Sequence, residues 1–136
     1  MSFLNHPSLL RRTLLADAVT CAIMGVVLAG ASGPVATMTG LPQALILWVG
    51  IVLLPIAGYN AFIGSRAETP IWAVWLLILG NAGWVIASVA LLLVLDSLTP
   101  IGIAFVAVQA AGVLILTELE IIGVRRLSRQ SGIAAA

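Results

Sequence analysis

Long apolar runs separated by short polar breaks fill the chain from end to end. Four runs stand out, at residues 13–31, 41–63, 71–95 and 101–123. Each holds about 20 residues, the length a helix needs to cross the hydrocarbon of a bilayer. The breaks carry helix-ending chemistry. Ser32-Gly33-Pro34 and Gly40-Leu41-Pro42 bracket the first, residues 64–70 (GSRAETP) form the second and residues 96–100 the third, leaving 124–136 as a short tail. Pro42 and Pro70 fall near helix starts, where a missing N–H costs nothing; Pro55 falls inside the second run and removes a hydrogen bond to the carbonyl of Ile51. The pattern predicts an all-α polytopic membrane protein, a four-transmembrane-helix bundle forming a single membrane domain over residues 1–136.

Composition supports that reading. With 62% hydrophobic and 8% charged residues, the polar surface is too small to cover a soluble globule of 136 residues. Charge then orients the bundle. Arg11 and Arg12 precede the first span, Arg66 lies between the second and third, and Arg125, Arg126 and Arg129 follow the fourth, while the other two breaks hold none. By the positive-inside rule both termini are cytoplasmic. The opening residues, MSFLNHPSLLRR, lack the compact apolar core and small-residue cleavage site of a secretory signal, so the first span is expected to stay attached.

Several chemistries drop out. Cys21 is the only cysteine and His6 the only histidine, so neither a disulfide nor a histidine-rich metal or haem site forms within one chain, and no cofactor is expected. A net charge of +1 gives no electrostatic footprint for nucleic acid. No phosphate loop, nucleophile elbow or His-Glu-x-x-His helix occurs. The protein reads as a non-enzyme.

Polar residues within the spans are costly in lipid and become the candidates for function. Near the arginine-rich side lies an intramembrane layer of Asp17, Asn60, Glu118 and Glu120, topped by Arg11, Arg12, Arg66, Arg125 and Arg126. Measured from Gly123 at 1.5 Å per residue, Glu118 lies roughly 7 Å and Glu120 roughly 4 Å inside. Glu118, leaning away from the interface, is expected to be the more constrained acid, and the acid that cannot reach the interface to meet Arg11, Arg12 or a partner chain. Asp17 is expected to snorkel toward water. Gln109 and Glu120, eleven residues apart, share a face with Val113 and Leu116 between them. Nearer mid-membrane, Asn81, Trp84 and Ser88 share a face of the third span, beside Gly80 and Gly83. With Gln109 they make either a helix contact or a pocket for a lipid, quinone or other hydrophobe. Trp48, Trp72 and Trp75 read as interface anchors or lipid-facing bulk. Ala18, Ala22, Gly25, Ala29 and Gly33 form a small-residue spine on the first span, and Ala104, Ala107 and Ala111 one on the last, which predicts close packing of those two helices.

The segments LLADAVTCAIMGVVLAG, LILWVGIVLLPIAGYNAFI, NAGWVIAS and TELEIIGVRR resemble a family of small bacterial four-span integral membrane proteins without an assigned function. The resemblance implies a bacterial inner-membrane location and brings no catalytic residues. Small multidrug-resistance transporters share the length, the four spans and an acid in the first span, but carry glutamate where Asp17 stands and an aromatic-rich third-span signature that is absent here. Short loops and two small-residue faces favour an interaction or accessory component, a homo-oligomer or a subunit of a membrane complex, with membrane lipids and another membrane protein as partners. The alternatives are a proton-coupled transporter of small hydrophobic or cationic solutes, and a lipid- or quinone-binding protein.

Overall fold

The computed structural model describes residues 8–134, so His6 and the other residues of 1–7, with 135–136, lie outside the described residues. Among the described residues the fold is all-helical: α1 (Leu9–Gly30), α2 (Ser32–Thr39), α3 (Gln43–Ser65), α4 (Ile71–Val94) and α5 (Pro100–Ala134). The chain has four helices long and apolar enough to cross a membrane, α1, α3, α4 and α5. Their outward surface fits that environment. Trp72, Leu79, Ile86, Val108 and Leu93 are all at least two-thirds exposed, an apolar coat that water would not tolerate.

Three boundaries differ from the sequence pattern. α1 begins at Leu9 and takes in Arg11 and Arg12. The first break is itself a helix, α2, because Pro34 sits in its first turn, where the lost N–H has no partner to lose; Gly40, with φ +74°, then closes it in the left-handed conformation. The expected tail is helical too. α5 runs for 35 residues because nothing from Arg125 to Ile133 stops a helix except the single glycine Gly132.

The spans pair into two antiparallel hairpins. The first, α1 with α3, is the tightest packing in the fold. On α3 the buried positions Ile46, Gly50, Leu53, Ala57, Asn60 and Gly64 repeat in steps of four and three, the spacing of a coiled-coil seam. Glycines on both helices let the backbones approach. A Cβ on Gly50 would strike the backbone of Leu28 and Ala29, and one on Gly25 would lie 3.0 Å from the Gly50 carbonyl oxygen. The small-residue spine of α1 therefore packs against α3. Ala104, Ala107 and Ala111 of α5, the expected partners, are exposed; α3 outcompetes them because Gly50, Ala57 and Gly64 put its small residues on one line.

The second hairpin, α4 with α5, meets the first at its two ends. At the arginine end Leu10, Leu14, Val74, Leu77, Ile78 and Val124 form one buried cluster, with Gly123 lying against Leu10. At the opposite end Leu28, Leu41, Ile46, Leu53 and Val106 form another. There the α4–α5 loop clasps α2: Thr99 N–H donates to the Thr39 carbonyl (3.0 Å), the Thr99 hydroxyl to that of Met38 (2.6 Å), and the Ser97 hydroxyl to that of Gly40 (2.9 Å). Thr99 also accepts from Gly102 N–H at 3.0 Å, capping α5 ahead of Pro100. With the hairpins pinned at both ends, the middle of the bundle is left unfilled.

Candidate functional site

That unfilled middle is a cavity of about 890 Å³ with walls from α1, α3, α4 and α5. Most of its surface is aliphatic, with Pro55 of α3 among the lining residues. Its polar groups are few: Asp17, Thr20 and Cys21 from α1, Tyr59 from α3, Asn81 and Trp84 from α4, and Gln109 from α5. Size and lining are those of a small-molecule site, an apolar chamber with a handful of convergent polar atoms. Tyr59 closes the seam between α3 and α4 at the arginine end by donating its hydroxyl to the Ala73 carbonyl at 3.2 Å.

Each hairpin carries an acid bridged to an amide on its other helix. In the first, Asn60 Nδ2 of α3 donates to Asp17 Oδ2 of α1 at 2.5 Å, and the Cys21 thiol donates to Asp17 Oδ1 at 3.6 Å. In the second, Asn81 Nδ2 of α4 donates to Glu120 Oε2 of α5 at 3.1 Å. Neither carboxyl forms an ion pair among the described residues. Glu120 and Asn60 are fully buried, yet Glu120 Oε1 and Asn60 Oδ1 have no hydrogen-bond donor. An isolated carboxylate in such surroundings costs several kcal/mol, so the site demands positive charge, as a proton or as a bound cation.

The two groups of candidates singled out in the sequence thus merge into one site. Asp17 and Asn60 stand together, and Gln109, Val113 and Leu116 line the cavity along the helix face that ends at Glu120. Asn81, expected at a separate level, joins them. It lies about 15 Å along α4 from Ile71, where its side-chain amide donates to Glu120 of α5. Ser88 does not face the main cavity; its hydroxyl donates to the Trp84 carbonyl at 2.8 Å and it borders a smaller void of about 60 Å³.

Three expectations are corrected. Glu118 is exposed and Glu120 is the constrained acid, because the turn of α5 that faces α4 is set by Gln109, Val113 and Leu116. Asp17 does not snorkel; it is 4% exposed and held inward by Asn60. The arginines do not pair with the acids. Arg11, Arg12, Arg66 and Arg125 are exposed, Arg126 is half-buried, and Arg66 lies over the Phe62 ring at 5.1 Å. Trp48 and Trp72 do face outward, at 64% and 70% exposure.

Cys21 and Tyr59 line the cavity, although the sequence pattern marks neither as a site residue. A usable signal was present: Cys21 stands one turn from Asp17, and Asn60 falls on the same four-and-three repeat as Gly50 and Gly64. Trp84 Nε1, buried at the cavity wall, is a third polar atom without a partner. No family model, curated protein or solved structure matches the chain.

Proposed function

We propose that this is a multi-pass protein of the bacterial inner membrane, both termini cytoplasmic, whose central cavity binds and carries a small hydrophobic solute bearing positive charge. The observation that carries this reading is the composition of the cavity wall: a single carboxyl, at Asp17, in a largely apolar chamber whose other polar groups are neutral, with no basic side chain to neutralise it. An apolar body with a cationic centre complements that wall. Its charge faces Asp17 and its flat surface the Trp84 ring, so apolar stacking on the indole adds to the charge attraction at the carboxyl. The solute then takes over the positive charge that the acids otherwise draw from a proton or small cation, which couples its movement to that of the ion. The distribution of arginines supports the orientation, since every arginine lies on the side of the chain termini.

Cys21 supplies a built-in test, being the only cysteine and a lining residue. Purified protein treated with N-ethylmaleimide is expected to label at Cys21, and tetraphenylphosphonium to slow labelling while uncharged triphenylphosphine oxide does so far less. Equal protection by both probes, or by neither, overturns the cationic reading.

An accessory role has one specific observation behind it. Gly80, Gly83, Ala87 and Ala90 form an exposed small-residue stripe on α4, and no atom lies within 4 Å of a Cβ built on either glycine. Such a stripe packs closely against another helix, and native mass spectrometry of protein released gently from its membrane decides whether one is there.

A further inference from the structure

The bundle is closed at its ends and open at its sides. At the arginine end the buried cluster of Leu14, Val74 and Val124 reaches the cavity wall through Leu77, and at the opposite end the cluster beneath the Thr99 clasp reaches it through Leu53. Between these seals α3 and α4 scarcely meet. Pro55 of α3 and Leu76 and Gly80 of α4 line the cavity yet are exposed, and no atom lies within 4 Å of a Cβ built on Gly80. The α1–α5 seam has the same form. Thr20 on one side and Val108, Gly112 and Ile115 on the other are exposed lining residues, and Gly112 has no neighbour within 4 Å of its would-be Cβ. Each seam is therefore a slot into the cavity. Gly80 lies about 14 Å along α4 from Ile71 and Pro55 about 15 Å along α3 from Ser65, so the α3–α4 slot opens at the level of the hydrocarbon.

We propose that this cavity fills sideways from the bilayer, and that its solute is a lipophilic amine which enters as the neutral free base and is protonated inside by Asp17. The proposal deepens the reading of a cationic solute and rests on it. A localised charge is costly in hydrocarbon, so an ordinary ammonium does not pass a slot at this depth, whereas an uncharged amine does. Inside, the amine meets the one carboxyl of the cavity wall. In the empty chamber that carboxyl carries a proton, since the wall has no basic side chain to offset its charge. The proton passes from Asp17 to the amine nitrogen: the O–H bond breaks, the nitrogen lone pair forms the new N–H bond, and carboxylate and ammonium remain as an ion pair. Asn60 Nδ2 and the Cys21 thiol, both donors to Asp17, then stabilise the carboxylate. The apolar body of the amine faces the aliphatic wall, and a long alkyl chain extends through a slot into lipid, so the cavity volume sets no limit on the length of the solute.

The test is Cys21 labelling of the unaltered full-length protein in lipid nanodiscs, which leave both faces of the bilayer open to water. A sulfonated, lipid-insoluble maleimide is expected to react at least about tenfold more slowly than N-ethylmaleimide, each rate taken relative to free glutathione, because its charge keeps it out of the hydrocarbon. N,N-dimethyldodecylamine added together with N-ethylmaleimide is expected to slow labelling, and its permanently charged analogue dodecyltrimethylammonium to leave the rate near that of the protein alone. Tetraphenylphosphonium, whose charge is shielded by four phenyl rings, crosses hydrocarbon and serves as the control for the cavity itself. Equal labelling by the two maleimides overturns lateral entry, and equal protection by the amine and its quaternary analogue overturns entry as the free base. Protection by tetraphenylphosphonium without protection by the amine overturns the amine and leaves the cationic cavity standing. Absence of protection by all three removes the cavity reading on which the amine rests.

Discussion

The two hairpins are built from similar parts and held together by different means. In α1/α3 the backbones touch: Gly25, Gly50 and Gly64 all have neighbours within 3.2 Å of a would-be Cβ. In α4/α5 no glycine brings the two helices together: Gly80, Gly83 and Gly112 have no atom within 4 Å of theirs, and Gly102 and Gly123 lie against Thr39 of α2 and Leu10 of α1 instead. The acids follow the same division. Asp17 accepts two hydrogen bonds, one of them at 2.5 Å, whereas Glu120 accepts one at 3.1 Å and keeps an oxygen free. Close backbone packing fixes one acid firmly; looser packing leaves the other with spare valence next to the cavity. The first hairpin is thus the more tightly packed side of the bundle and the second the looser one.

Breaking the seam of the rigid hairpin is the most damaging way to test this contrast. Gly50→Leu drives a side chain into the backbone of Leu28 and Ala29, which cannot move aside as a flexible side chain would. The expected loss is about 3 kcal/mol, the upper end of overpacking costs, or failure to fold. Gly83→Leu in the other hairpin enters open space. It is expected to stay within about 0.5 kcal/mol of the parent. Thermal unfolding in one detergent compares the two, and similar losses would remove the distinction between the hairpins.

The amides come next. Asn60→Ala strips the buried Asp17 of its short hydrogen bond and is expected to cost about 2 kcal/mol, within the range for bonds to charged groups. Asn81→Ala, removing a longer bond from a half-buried donor, is expected to cost about 1 kcal/mol. Both amides hold a buried acid of the same bundle, so the double variant is expected to depart from additivity by at least about 0.5 kcal/mol, and strict additivity would show the two pairs to be independent.

At the far end, Thr99→Ala removes the hydroxyl that caps α5 and donates to the Met38 carbonyl across the clasp. A loss of about 1 kcal/mol is expected, typical of an N-cap. The clasp holds the hairpins at the end opposite the arginines, so Thr99→Ala should also speed maleimide labelling of Cys21. Unchanged labelling would mean that the cavity does not open at that end.

The sequence made the spans legible because apolar run length is a local property, and residues 41–63 and 71–95 come within two residues of α3 and α4 at each end. The site residues were legible for a similar reason: a polar side chain inside an apolar run is conspicuous wherever it ends up. Their pairing was not. Which helix faces Asp17 depends on Gly50 and Gly64, more than thirty residues away, through a close approach that no single run encodes. Helix rotation was equally hidden. Glu118 and Glu120 carry the same charge in the same run, and only the packing of Gln109, Val113 and Leu116 around the cavity puts one inside and the other outside. A central cavity is harder still to read, since it arises from where side chains fail to meet.

The smallest effect therefore tests the helix rotation most directly. Glu118→Gln changes an exposed side chain that makes no hydrogen bond or ion pair among the described residues, so the expected change in stability is under about 0.5 kcal/mol. Glu120→Gln alters a fully buried side chain whose Oε2 accepts from Asn81 and whose Oε1 stands free. The glutamine carbonyl keeps the Asn81 bond, while its NH₂ gives the layer a donor that it lacks and removes one buried carboxyl. Those changes act in opposite directions on stability, but they agree in lowering the negative charge beside the cavity. Protection of Cys21 by tetraphenylphosphonium should then weaken in Glu120→Gln and remain unaltered in Glu118→Gln. If the two variants change places in that assay, α5 is rotated by nearly half a turn from the arrangement described, and the cavity wall has to be redrawn around Glu118.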